Sequence, residues 1–154
     1  MPRVINGIDD LKALIGQGAG SSEWHTITQQ QIDAFADITG DHQWIHADPE
    51  RARRESPYGA TIAHGFLTVS LLSGMIEEAI SLQGDLKMRI NYGFNRLRFT
   101  SAVPAGARVR ARFTVNGLKE IQGGVEIAWG VIVEIEGQTK PALVAEWLDR
   151  SYLS

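Results

Sequence analysis

Apolar positions change their period once along the chain. Up to residue 80 they recur at helical spacing, and beyond about residue 95 they alternate. DDLKALI, residues 9–15, predicts a short helix. GQGAGSS, residues 16–22, interrupts the pattern and predicts a flexible break, either a loop or the base of an N-terminal extension. EWHTI predicts a short strand leading into a helix. Thr28 followed three residues on by Gln31 fits a capping box, and Ile32, Phe35, Ala36 and Ile38 supply an apolar face. Gly40 ends that helix as a C-terminal glycine. Asp48-Pro49-Glu50 reads as a second start, with Asp as N-cap and Pro at the first helical position. RARRESPYGAT returns to loop. HGFLTVSLLSGMIEEAI, residues 64–80, has no wide polar face before Glu77, so it predicts a central helix buried on most sides.

The second half is strand-like. NRLRFTSAV, ARVRARFTVNGL, GGVEIAWGVIVEIEG and TKPALVAEWLD alternate and are rich in β-branched and aromatic residues. PAGA, KEIQGG and EGQTK separate them, which makes an antiparallel meander. The expected class is α+β: a curved antiparallel sheet wrapped on one long helix, all within a single domain.

Composition narrows the function. The chain has 154 residues, 44% hydrophobic and 21% charged, with a net charge of -3. Scattered Lys and Arg predict no nucleic-acid partner, because phosphate binding rests on a clustered basic face. There is no cysteine, which excludes disulfides, thiolate metal sites and cysteine nucleophiles. No apolar run approaches the roughly 20 residues of a membrane span, and the first residues do not read as a signal peptide. A cytoplasmic protein is expected.

GDHQWIHAD, residues 40–48, concentrates the candidate chemistry. Asp41 follows a helix end and His46 lies five residues later, with apolar Trp44 and Ile45 between them. A chain dipping into the protein at Trp44-Ile45 would present Asp41 and His46 together, able to orient one water. A carboxylate beside an imidazole fixes its tautomer and raises its basicity. Gln43 offers a further hydrogen bond. Asp48 is explained as a cap and His42 as a solvated loop residue. A zinc pair of His42 and His46 would need a regular helix and more ligands, so no metal is expected. His25, in an edge strand, has no assigned role. At His64-Gly65, the start of the central helix leaves bare N–H groups and the positive dipole end, a natural place to polarise a carbonyl. Alternatively Gly65 only permits tight packing and His64 only caps. Ser70 and Ser73 bond back along the helix, or one of them supports the Asp/His pair.

The run FADITGDHQWIHADPERARRESPYGATIAHGFLTVSLLSGM resembles the MaoC-like, or (R)-specific enoyl-CoA hydratase, family. It has the Gly-Asp pair at Gly40-Asp41, a His five residues on at His46, Asp48-Pro49, and His64-Gly65 opening the central helix. INYGFNRLRFTSAVPAGARVRARFTV resembles the family's strand and turn. The resemblance covers roughly residues 24–148, leaving residues 1–22 as a less well matched N-terminal extension. It implies the hot-dog fold, a homodimer pairing sheets edge to edge, and an acyl-thioester tunnel at the dimer interface. The implied reaction is hydration of trans-2-enoyl thioesters of coenzyme A or acyl carrier protein to (R)-3-hydroxyacyl thioesters, without a cofactor. It assigns catalysis to Asp41 and His46, with the Gly65 N–H holding the thioester oxygen. Gln43, Trp44, His64 and Ser73 are expected to bind substrate or support the pair. Where many members carry Asn-Pro, this chain has Gln43-Trp44, a change expected to reshape the pocket wall. Two rival readings are a hot-dog thioesterase and a non-catalytic acyl-thioester binding or partner subunit. A thioesterase would want a carboxylate early on the central helix, and GFLTVSLLSGM has none.

Overall fold

The computed structural model describes residues 1–153. Helical elements come first and long strands last. The order is β1 (Arg3–Asn6), α1 (Gly7–Ala13), β2 (Gly18–Ser21), β3 (His25–Thr26), α2 (Gln29–Thr39), α3 (Trp44–Ala47), α4 (Pro49–Glu55), α5 (Gly65–Ser70), α6 (Leu72–Ala79), β4 (Ile80–Gln83), β5 (Leu86–Phe99), β6 (Arg108–Ile121), β7 (Gly124–Ile135) and β8 (Leu143–Leu153).

The main sheet runs β2-β6-β7-β8-β5, with β3 also on β6 and every pair antiparallel. The β6-β7-β8 meander matches expectation. Its first turn is tighter than the sequence suggests: Ile121 faces Gly124, so β6 runs on through Lys119-Glu120-Ile121. β5 begins at Leu86, nine residues before the expected strand, and lies at the far edge beside β8. Alternate residues of β6 and β7 turn inward, and Phe113, Trp129 and Trp147 meet at ring separations of 6.5 Å. This inner face closes over Leu72, Met75, Ile76 and Ala79 of α6. The architecture is the hot dog: one helix inside a curved antiparallel sheet.

One expectation is corrected. GQGAGSS is not a flexible break, because Gly18–Ser21 pairs with β6. A Cβ on Gly20 would come within 2.7 Å of the Ala79 carbonyl oxygen, so the glycine lets a strand press on the central helix. With Ile5, Leu11 and Ala19 in the same buried cluster, the segment 3–21 lends three side chains to the core. The central helix is buried on most sides, as expected, but keeps one exposed face. It tightens at Leu71, whose N–H is shared between the Leu67 and Thr68 carbonyls, and leaves Phe66, Ser70, Ser73, Gly74 and Glu77 exposed along one face. The apolar count hid this face because small residues occupy most of it. No helix among the described residues is long and apolar enough to cross a membrane.

One buried polar group stands apart. Asp149 is fully buried on the inner face of β8, accepting a hydrogen bond from Trp129 Nε1 at 2.7 Å, with Arg89 Nε 3.6 Å away. Burial pushes its carboxyl up to about 6, against the opposing pull of Arg89 and Trp129. The native state therefore keeps a proton between about pH 4 and 6 that the unfolded chain has released, so this group makes stability fall as pH rises through that window. The shift of roughly two units corresponds to at most about 3 kcal/mol. Urea unfolding of wild type and Asp149→Asn at about pH 4.5 and 7.5 should show the wild type losing stability relative to the variant at the higher pH.

Candidate active site

α2 delivers the first half of the site. Thr28 and Gln31 form the full capping box, and Gly40 ends the helix in the left-handed conformation at φ 81°. The chain then turns sharply. Gln43 N–H donates to Asp41 Oδ1 at 3.3 Å, and the Gln43 carbonyl accepts from the amides of His46 and Ala47, which makes the single turn α3. Asp48 caps α4 through the Arg51 amide at 3.0 Å. His46 is buried while Trp44 and Ile45 are only half-buried, so it is the imidazole that dips deepest.

Segment 61–65 supplies the second half. Ala63 N–H donates to the Val103 carbonyl and Ala105 N–H to the Thr61 carbonyl, anchoring the segment on the loop after β5. Ile62 grips the first half twice: its N–H donates to the Ile45 carbonyl at 3.0 Å, and its carbonyl accepts from His46 Nδ1 at 2.6 Å. A carbonyl only accepts, so His46 carries its proton on Nδ1 and Nε2 is left free. His64 stacks on His46, with ring centres 3.9 Å apart and planes 24° apart.

The Asp41, His46 and His64 side chains each bring a potential ligand atom within 4.8 Å of the others. The stacked rings disfavour a metal there. An ion lies in the plane of each imidazole that binds it, at about 2 Å. Planes inclined by 24° with centres 3.9 Å apart do not meet within that reach.

A cavity of about 460 Å³ opens beside the pair, walled by His46, Ile62, Gly65, Phe66, Thr68 and Phe99 among others. The amides of Gly65 and Phe66 have no acceptor among the described residues. The Phe99 ring occupies the space a side chain at 65 would need, since a Cβ there would lie 2.9 Å from it. An imidazole with one free nitrogen and bare helix-start amides thus line one largely apolar chamber, and the Asp41 carboxylate stands beside that imidazole. That set can hold a carbonyl and move a proton at a neighbouring carbon.

Residues 10–135 match the MaoC-like domain family. The chain belongs to that family. The 3-hydroxyacyl-thioester dehydratase Z of Mycobacterium tuberculosis is 46% identical over 149 residues, covering 96% of this chain and 97% of the relative. Nodulation protein N of Rhizobium meliloti is 47% identical over 142 residues, covering 92% and 88%. A solved R-hydratase from Pseudomonas aeruginosa superposes with a TM-score of 0.67 at 26% identity, covering 91% of this chain and 83% of the other.

In this MaoC-like chain the residues marked by sequence fall into two groups. Asp41, His46, His64 and Gly65 converge, and Gln43 lends its amide to Asp41. Trp44 and Ser73 do not join them. Trp44 lies outside the cavity wall, its ring under the Arg51 guanidinium at 4.3 Å, so its bulk is spent on packing α4. Ser73, one helix segment beyond Gly65, accepts from Asn91 Nδ2 at 3.4 Å on the exposed face. Ser70 bonds back to the Phe66 carbonyl. His42 is exposed near Asp37, while His25 contacts Glu78 Oε1 at 2.6 Å and so ties β3 to α6. Glu77 is held by Arg89.

Gln29 escaped sequence reasoning. Its amide donates to the His46 carbonyl at 2.8 Å and to Asp33 Oδ1 at 2.9 Å, and it accepts from the buried Thr61 hydroxyl. It clips the two halves of the site together from the first turn of α2. Nothing local marks it, because a Gln beside a capping box reads as surface. Gln29→Leu strands the Thr61 hydroxyl and the His46 carbonyl, and should cost about 1–3 kcal/mol in chemical unfolding.

Proposed function

We propose that this chain catalyses the reversible hydration of trans-2-enoyl thioesters to (R)-3-hydroxyacyl thioesters. The reading rests on membership in the MaoC-like family and on near full-length similarity to a 3-hydroxyacyl-thioester dehydratase. The observation that carries the chemistry is the Asp41 carboxylate beside a His46 ring whose Nδ1 is committed to Ile62. In the dehydration direction a proton leaves the α-carbon, hydroxide leaves the β-carbon, and the two depart as water. No electrons are gained or lost, so no redox cofactor is required, and coenzyme A is part of the substrate. Asp41 and His46 share the proton and the water. The Gly65 N–H at the helix start holds the thioester oxygen as charge develops on it.

The whole chain, residues 1–154, acts in this reading as one domain. Its carrier in this reading is coenzyme A or acyl carrier protein, and its place of work is the cytoplasm. Its partner is a second copy of itself. Among the described residues β5 bonds only to β8, leaving a 14-residue edge free, and Met88, Ile90 and Tyr92 stand exposed along it. Phe66, 70% exposed, adds to this unpartnered apolar surface.

Asp41→Asn and His46→Ala should each lower crotonyl-CoA hydration by roughly 10²–10⁴-fold while the fold persists by circular dichroism. Near wild-type turnover by either folded variant would defeat the assignment. Light scattering of the purified chain should return about twice the 16.9 kDa protomer mass, and a monomer would remove the homodimer from the proposal.

A further inference from the structure

We propose that His64 is a positioning residue that joins Asp41 to His46, acting through an imidazole fixed in the tautomer opposite to that of its neighbour. The inference rests on the assignment of catalysis to Asp41 and His46.

Three independent contacts converge on this ring. His64 Nε2 lies 3.0 Å from the Asp41 carbonyl oxygen. That oxygen only accepts, so the proton of the neutral ring sits on Nε2. His64 Nδ1 is buried and has no hydrogen-bond partner among the described residues. One face of the ring stacks on His46 at 3.9 Å, and Phe35 of α2 packs on the ring at 5.1 Å and 55°. The side chain is therefore held by its neighbours and is 3% exposed.

The loop is held at its ends, by the Gly40 amide on the Ala36 carbonyl at 2.8 Å and by the Gln43 carbonyl on the His46 and Ala47 amides, but Asp41 between them has few other bonds. Residues 40–43 are exposed and follow a helix end. The Asp41 amide reaches Thr39 Oγ1 only at 3.4 Å, and its carboxylate receives only the 3.3 Å bond from Gln43 among the described residues. The His64 bond is the shortest made by any part of Asp41. It ties this loop to the segment that also holds His46 through Ile62. Tautomer and position thus come together: His46 is protonated on Nδ1 by one carbonyl, and His64 on Nε2 by another. A merely structural cap would not need a donor aimed at the residue that bears the carboxylate.

Two substitutions separate the parts. His64→Phe keeps a ring for the stack and removes the donor, whereas His64→Gln keeps a donor near the ε position and removes the ring. Loss of the tether should lower kcat of His64→Phe by about 10²-fold, as misplacement of a catalytic group by about 1 Å does, with KM changed by less than about threefold. His64→Gln should recover most of that loss. In an Asp41→Asn background His64→Phe should cost less than about threefold more, because coupled groups are not additive. Nitrogen-15 spectra of the wild-type imidazoles, which need no turnover, should show His46 protonated on Nδ1 and His64 on Nε2. A His64→Phe protein with unchanged kcat, or spectra giving His64 protonated on Nδ1, would overturn the proposal. If His64→Phe does not fold, the Gln variant and the spectra still decide it. An active Asp41→Asn protein would instead overturn the reading on which this proposal rests.

Discussion

The site depends on the double grip of Ile62 on the turn at residues 45–46. The Ile62 amide and carbonyl are both used, one on the Ile45 carbonyl and the other on His46 Nδ1. Both bonds lie in partly buried surroundings, where a polar group left unpaired is costly. They join two stretches that approach the chamber from different helices. They also define which nitrogen of His46 exchanges protons, so one backbone residue sets position and chemistry together. Segment 61–65 then carries all three parts: His46 through Ile62, Asp41 through His64, and the bare helix-start amides through Gly65.

That segment is steady because it is itself fastened to the sheet. Its amides and carbonyls pair with Val103 and Ala105 just beyond β5, and α5 runs on into α6, which fills the hollow of the sheet. The hot-dog core thus serves the chemistry indirectly. Burial of α6 fixes where the helix begins, and where the helix begins fixes the bare amides of Gly65 and Phe66 that line the chamber.

How much of this the sequence discloses follows from range. Signals carried within a few residues are plain: the Thr28–Gln31 box, Gly40 as terminator, Asp48-Pro49 as a start, and period-two alternation in β6 and β7. The Asp41-to-His46 spacing points to a shared site once Gly40 and Asp48 mark the ends of the loop. Even Asp149 was within reach, since alternation in β8 puts it on the same face as Trp147. What stays hidden is carried by the backbone or by distant partners. Ile62 acts through its peptide groups, which any residue would supply. Gln29 and Phe35 matter only because α2 packs where it does. The glycines near residue 20 look like slack because sequence cannot show that the Ala79 carbonyl lies against them. Trp44 draws the eye by its departure from the family pattern, yet it faces Arg51 and not the chamber.

α4 interrupts the site without entering it. Its cap is local, Ala52 is its one buried residue, and Arg53 and Arg54 point away from the core. A helix so lightly moored can drift in sequence, lengthen or acquire a label while the groups on either side keep their places. It is where variation among relatives should be best tolerated, and where a reporter group can be attached with least disturbance to turnover.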